Sequence, residues 1–299
     1  MKISVLIPAF HADPFIATAL ASVRAQTHRN WEIVVVEDGS RDDTQAIVEE
    51  FAASCVQPVV YRNLGENFGV GTVRNHLLQL ASGDALAFLD ADDTWEPDHL
   101  ANAATQIEAG ADLVVSGVRT FDLVKKTLIE EVQPPAELFA DPVRALFEES
   151  VIITSSSVAL TRDVAGRAGE FDTTLRIGED RDYWLRCALA GARVRGTGRF
   201  TCNYAKHLSS SMARTYVVAQ HVTRFYQKYQ NLDAVPARLR RHLLAQSLIC
   251  QGRLLREHDR DRSAACFWQA WRCEPLNPLI PVHLAFTHWR AANPAAKAA

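Results

Sequence analysis

Three carboxylates in four residues, Asp90, Asp92 and Asp93, stand in the segment Phe-Leu-Asp-Ala-Asp-Asp. Acids that crowded repel one another unless a cation sits among them. Hard oxygen ligands suit Mg²⁺ or Mn²⁺, which bridge readily to a substrate diphosphate. A solvated acidic loop leading into the next helix is the other use of such a stretch, and these residues alone leave both open. Asp38 lies in Glu37-Asp38-Gly39-Ser40, where a carboxylate can accept hydrogen bonds from a base edge and glycine permits a tight turn. Ser40 or Asp42 equally suits a helix cap. Asn67, Gly69 and Arg74 fall in Gly-Glu-Asn-Phe-Gly-Val-Gly-Thr-Val-Arg-Asn. Glycines there let backbone approach a ligand, and arginine pairs with an anionic or planar partner; an ordinary loop into a helix is the competing use. The spacing is neither the dinucleotide fingerprint nor a P-loop. Glu179 and Asp180 open a segment that continues Tyr183-Trp184-Leu185. Asp180 is placed to take a proton from an acceptor hydroxyl as a general base, although the dipole of a helix N-terminus also favours acids at this position. His207 sits in a polar stretch before Ser209, Ser210 and Ser211, where a structural or solvated imidazole is the alternative to a ligand.

These side chains need elements to hold them, and hydrophobic periodicity supplies them. Strands are expected at 3–7, 32–36, 58–61, 85–89, 113–117 and 151–153, the first five nearly continuous in apolar residues. Helices are expected at 14–26, 42–54, 71–80, 97–108 and 179–190, from apolar residues at helical spacing. Such alternation indicates an α/β fold with a mainly parallel sheet covered on both faces. Ligands of such sheets bind at the carboxyl ends of the strands, where Asp38 and Asp90 fall. Residues 120–150, with Pro134 and Pro135, read as an irregular connection or acceptor-side insertion. From Tyr216 the pattern is helical, and Ala264–Pro275 resembles half of a tetratricopeptide-type hairpin. The expected division is a domain over 1–215 and a helical region over 216–299.

The ordered set of motifs resembles inverting glycosyltransferases of family 2, which have the GT-A fold. Ser-Val-Leu-Ile-Pro-Ala-Phe resembles the family's first strand, and Glu32-Ile-Val-Val-Val-Glu-Asp-Gly-Ser its second strand and nucleoside loop. Ser22-Val-Arg-Ala-Gln-Thr, Asn67-Phe-Gly, Arg74-Asn75, Leu89-Asp-Ala-Asp-Asp and Phe171-Asp…Gly178-Glu-Asp…Trp184-Leu-Arg follow in the family's order. The resemblance implies that Pro8 and Phe10 line a nucleoside pocket, that Asp38 binds the base with Arg74 near it, and that Asp90 faces the ribose or metal. It implies that Asp92 is the main metal-binding carboxylate with Asp93 in support, that Asp180 is the catalytic base beside Glu179, and that His207, in Tyr204…His207…Ser210, approaches metal or diphosphate. Glu37 stands where the family usually has Asp, and His11 where Asn often follows the aromatic. There is no Gln-x-x-Arg-Trp segment, which points to transfer of one sugar at a time.

The implied reaction is metal-dependent transfer from a nucleotide-diphosphate sugar, UDP by default, to a hydroxyl of a glycan or lipid-linked acceptor in cell-surface polysaccharide synthesis. A sugar-phosphate nucleotidyltransferase would need a Gly-rich triphosphate loop with a Lys or Arg near the first strand, which Ile7-Pro8-Ala9-Phe10 lacks. A non-catalytic nucleotide-sugar binder would be indifferent to loss of Asp180.

Composition agrees with a globular chain: 299 residues, 48% hydrophobic and 22% charged, with net charge −3. That length buries a substantial core without staples. Six cysteines without C-x-x-C spacing indicate buried free thiols rather than zinc. The apolar start of the chain is too short for a signal peptide, and no stretch approaches a transmembrane helix. A cytoplasmic location is expected, with no nucleic-acid partner. From Tyr216 onward the chain has 12 Lys/Arg against 5 Asp/Glu, opposite in sign to the rest. That imbalance suits a solvated helical surface, or peripheral contact with the anionic inner face of a membrane.

Overall fold

A run of β-branched residues in Ile-Ser-Val-Leu-Ile-Pro-Ala builds the central strand β1 (Ile3–Ala9), buried along nearly its whole length. The computed structural model describes residues 1–125, 127–206 and 215–292. After β1 come α1 (Ile16–Arg24), β2 (Trp31–Glu37), α2 (Thr44–Ala53), β3 (Val59–Asn63), α3 (Val70–Leu80), β4 (Ala85–Phe88), β5 (Thr94–Trp95) and α4 (His99–Glu108). The chain continues through β6 (Leu113–Asp122), β7 (Thr127–Val132), α5 (Ala136–Ala140), α6 (Pro142–Glu148), β8 (Val158–Thr161), α7 (Arg162–Ala168), α8 (Glu179–Leu189) and β9 (Val194–Lys206). Four helices follow: α9 (Thr215–Lys228), α10 (Ala237–Leu255), α11 (Arg260–Cys273) and α12 (Leu279–Ala292).

The nine strands form one sheet in the order β3-β2-β1-β4-β8-β6-β9-β5, with β7 paired to β6. Strands β1–β4 are mutually parallel neighbours, as a βαβ series requires. Antiparallel β8 then joins β4 to β6, and β9 returns parallel to β6. The α/β class is as expected, but parallel pairing is confined to the first four strands and the β6–β9 pair. Two local expectations are corrected. Residues 151–153 are not a strand; Thr154 instead caps a short 3₁₀ turn over Ser155–Ser157, and the strand begins at Val158. The stretch 120–150 is not irregular, since it carries the β6–β7 hairpin and two short helices. Strand β9, rich in glycine and arginine, is an element for which the periodicity carries no expectation.

The core lies between the parallel strands and α1, α2 and α4, with Ile3, Val5, Ile7, Ile33, Val35, Leu20 and Trp31 sealed from solvent. Glu32 is the polar exception on β2. It accepts hydrogen bonds from Lys2 Nζ (2.6 Å), Ser4 Oγ (2.6 Å), Ser82 N (2.6 Å) and Ser82 Oγ (2.7 Å). One carboxylate thereby fastens β1 and β2 to the turn that enters β4.

The chain divides into two compact units, Met1–Ser210 and Ser211–Ala299. In the second, α10 packs on both α9 and α11, with Leu248, Phe267 and Ile280 buried. Asp259 starts α11 by accepting a hydrogen bond from Arg262 N (3.0 Å), an N-cap in place of the missing intrahelical partner. No cysteine is paired: Cys187, Cys202 and Cys266 are buried as expected, but Cys250 is exposed. No helix among the described residues is long and apolar enough to cross a membrane.

Candidate active site

Because β1, β2 and β4 run parallel, Ala9, Glu37 and Phe88 bring their following loops to one edge of the sheet. There the first loop carries Pro8, half-buried at the strand end, and Phe10, 49% exposed. His11 follows with φ +49°, the non-glycine residue with positive φ among the described residues. Asn and His enter that left-handed region more readily than most residues, which accounts for His11 at a place where Asn is common.

Asp38 is buried beside this loop. Its N–H donates to Ala9 O (2.8 Å), and its carboxylate accepts from Phe68 N (2.7 Å) and Gly69 N (2.9 Å). Asp38 thus orders the Asn67–Gly69 turn, leaving further lone pairs for a base. Gly39 has φ +76°, and a Cβ on it would lie 2.5 Å from the Glu66 backbone, so only glycine fits between the loops. Phe68 emerges 49% exposed beside exposed Asn67. Phe68 was not singled out from the sequence, since aromatics in loops carry no periodic signal. Glu37 is buried and accepts from Ser40 Oγ, Tyr61 Oη and Asn63 Nδ2. Its extra methylene reaches across to β3, so its work is to brace the loop.

The three acids after β4 have separate fates. Asp93 is fully buried, accepting from Ser156 Oγ (2.5 Å), Thr154 Oγ1 (3.2 Å) and Ala205 N (2.8 Å). Burial, reinforced by Asp90 and Asp92, pushes its carboxyl well up despite those donors. Asp93 pins β9 and the 3₁₀ turn beneath the site. Ser156 Oγ also accepts from Asp90 N (2.9 Å); only the Ser/Thr run at 154–157 hinted at this role. Asp90 is half-exposed and receives Arg74 Nη2 (3.1 Å). Asp92 stays half-buried in the turn.

Arg74 is the junction. Only 4% exposed, it donates through Nη1 to Glu179 Oε1 at 2.5 Å and through Nη2 to Asp90. The partners of its guanidinium are these two acids. Burial works against the Arg74 cation, and Asp90, Glu179 and Asp180 more than restore it. Burial and the adjacent Asp180 push Glu179 up to about 7, against the pull of Arg74. Burial also raises Asp90, with Asp92 and Asp180 adding to it and Arg74 opposing. One guanidinium facing three carboxylates leaves the cluster short of positive charge.

Asp180 lies in the first turn of α8, half-buried, after Gly178 in the left-handed conformation. The same turn carries Glu179 and Asp182, which the helix dipole favours. Two contacts fix it. Arg181 donates to Leu146 O (2.8 Å) and Phe147 O (2.7 Å), satisfying carbonyls at the end of α6. Behind it Phe171 stacks on Tyr183 at 3.9 Å, and Phe88 meets Trp184 edge-on at 5.3 Å. Leu146, Ile152 and Trp184 line a shallow crevice beside Asp180 too tight to admit a water.

Among the described residues no three acidic, imidazole or thiol groups converge on a cation position. The donors still fit Mg²⁺ or Mn²⁺ bound in the usual way, by one or two carboxylates plus substrate phosphates. Asp92 stands half-buried in the same turn as a candidate ligand, and the surplus negative charge favours a cation. His207 lies outside the described residues.

A family model described as glycosyl transferase family 2 matches residues 4–165. The UDP-Glc:alpha-D-GlcNAc-diphosphoundecaprenol beta-1,3-glucosyltransferase WfaP of Escherichia coli is 25% identical over 218 residues, 72% of this chain and 81% of the relative. Other relatives are longer: the match spans 44% of one in Bacillus subtilis and 31% of one in Nostoc. Among solved structures, TarS of S. aureus in complex with UDP-GlcNAc has a TM-score of 0.69 at 20% identity, covering 95% of this chain and 88% of that one. A mannosyltransferase of Pyrobaculum calidifontis in complex with GDP-Man and Mn2+ has a TM-score of 0.61 at 20% identity, covering 98% and 81%. Motif order, a GT-A fold and the family match agree: the chain belongs to glycosyl transferase family 2 and is a glycosyltransferase.

Proposed function

We propose that this enzyme transfers a sugar, with inversion, from a nucleotide-diphosphate donor to a hydroxyl of a glycan or lipid-linked acceptor during cell-surface polysaccharide synthesis. The observation that carries the reading is Arg74 held between Asp90 and Glu179. It joins the acids at the sheet edge to the helix that presents Asp180. Phe10 and Phe68 offer exposed rings for a nucleoside base on the two loops that Asp38 ties together, and Asn67 stands on the second of them. UDP is the favoured nucleotide, in keeping with the names of WfaP and the TarS complex. Asp180 accepts the proton of the acceptor hydroxyl as that oxygen attacks the anomeric carbon from the face opposite the diphosphate. One carboxylate at the reacting face suffices for a single displacement. Asp92, with the donor's phosphates, would hold a divalent cation, and His207 is a further ligand candidate. That cation supplies Lewis-acid neutralisation of charge on the departing nucleotide. The basic balance after Tyr216 suits peripheral contact with an anionic membrane face, where a lipid-linked acceptor would be met.

The test is a thermal-shift screen of nucleotides and nucleotide sugars with and without Mn²⁺, followed by product analysis. Ligand at ~100 times its dissociation constant adds roughly 2.7 kcal/mol. The expected result is a metal-dependent shift with a diphosphate nucleotide, lost in Asp92→Ala and kept in Asp180→Asn, with turnover lost in both. A shift that persists in Asp92→Ala, or turnover that survives Asp180→Asn, overturns the assigned roles.

A further inference from the structure

Helices α9, α10 and α11 border an open cleft of about 220 Å³ within the C-terminal unit. Gln220, Gln227, Gln251 and Gln269 line it together with Arg224 and Arg262; Gln227, Gln269 and both arginines are exposed. Gln251 is 9% exposed. Among the described residues, no hydrogen bond to protein is made by any of these four carboxamides or by Arg224. Arg262 is held in place by Tyr216 Oη at 3.0 Å and Asp259 at 3.8 Å. No lining side chain is acidic, while Leu248 and Leu255 add an apolar wall.

That inventory defines a ligand. Each carboxamide offers both a donor and an acceptor, as a pair of sugar hydroxyls requires. The aliphatic wall suits the C–H face of a sugar ring. Arg224, with Arg262 beside it and already facing Asp259, favours an anionic substituent, which arginine binds through its planar fork. The volume falls below the roughly 300–1,000 Å³ of sites for drug-sized ligands, so it takes one sugar ring rather than a nucleotide.

We propose that this cleft is a saccharide site for an acidic sugar, one bearing a carboxylate or phosphate, separate from the donor site. Its role as a holder of acidic acceptor glycan rests on the transfer reaction proposed above; the site itself does not.

Ligand-observed NMR and calorimetry on the full chain test it, using glucuronate, glucose 1-phosphate, glucose and inorganic phosphate, each with and without saturating UDP. The expected result is saturable binding of at least one of the two acidic sugars, unaffected by UDP and about tenfold weaker for glucose and for phosphate alone. The exposed pair Arg224→Ala/Arg262→Ala should weaken it about tenfold without changing the thermal midpoint, and Gln251→Leu should do so with similar packing volume. The proposal is overturned by displacement with UDP, by phosphate binding as tightly as the sugar phosphate, by equal affinity in the rim double variant, or by no saturable binding of either acidic sugar. Failure of UDP to bind at all would instead count against the donor reading and leave this site standing.

Discussion

Arg74 and Glu179, 105 positions apart in the chain, share a buried ion pair of 2.5 Å, and the same guanidinium reaches Asp90 at 3.1 Å. A planar fork with two acidic partners cannot be reproduced by an ammonium. Arg74→Ala should therefore strand two carboxylates and cost about 3–5 kcal/mol, the range for removing one member of a buried pair. Arg74→Lys should recover less than half of that. Urea denaturation measures both; a loss under 1 kcal/mol in Arg74→Ala would show that solvent already screens the cluster.

The pH dependence of stability should report Glu179. Burial and the neighbouring Asp180 lift its carboxyl to about 7 in the folded protein. A carboxyl raised on folding binds its proton more tightly in the native state. Its stabilising contribution is complete below about 4.5, the unfolded value, and disappears as pH climbs through 7. Glu179→Gln should flatten the fall in stability between pH 5 and 7 while leaving the acid limb in place. Identical slopes in the two proteins would dismiss the assignment.

Glu32 should act with the opposite sign. Burial by itself would raise this carboxyl, but donors from Lys2, Ser4 and Ser82 outweigh it and set it at about 2. The stabilisation is present above about 4.5 and is lost as pH falls through 2. With allowance for the partly exposed Lys2, it amounts to ~2 kcal/mol at neutral pH. Glu32→Gln should lower the thermal midpoint at pH 7 and leave it nearly unchanged at pH 2.5. The check is calorimetry across that range.

Gly39 should tolerate no side chain. Its φ of +76° and the 2.5 Å approach of Glu66 backbone to a Cβ both oppose alanine. Gly39→Ala is expected to cost ~1–3 kcal/mol, from strain in the left-handed region. It should also loosen the Asp38 bonds to Phe68 and Gly69, so nucleotide-induced thermal shifts should shrink along with stability. Unaltered nucleotide response would separate this turn from the donor pocket.

The placement of the acids was legible in the chain itself. Apolar strand runs, each closed by a polar turn, put Asp38 and Asp90 at one sheet edge, because parallel strands joined by helices must all end on the same side. Glycines and the Glu179-Asp180 pair marked a loop and a helix start through local backbone preference. Tertiary structure decided which acid does what. Asp90, Asp92 and Asp93 are equivalent by local chemistry, yet one meets Arg74, one stays in the turn and one is buried on Ser156 and β9. Strand β9 itself was illegible, since Val-Arg-Gly-Thr-Gly-Arg has neither alternation nor apolar content, and it becomes a strand by pairing with β6. Periodicity records which face of an element is apolar, over a window of a few turns. Partners a hundred residues away are chosen by packing, and that choice turned a set of acidic motifs into an arranged site.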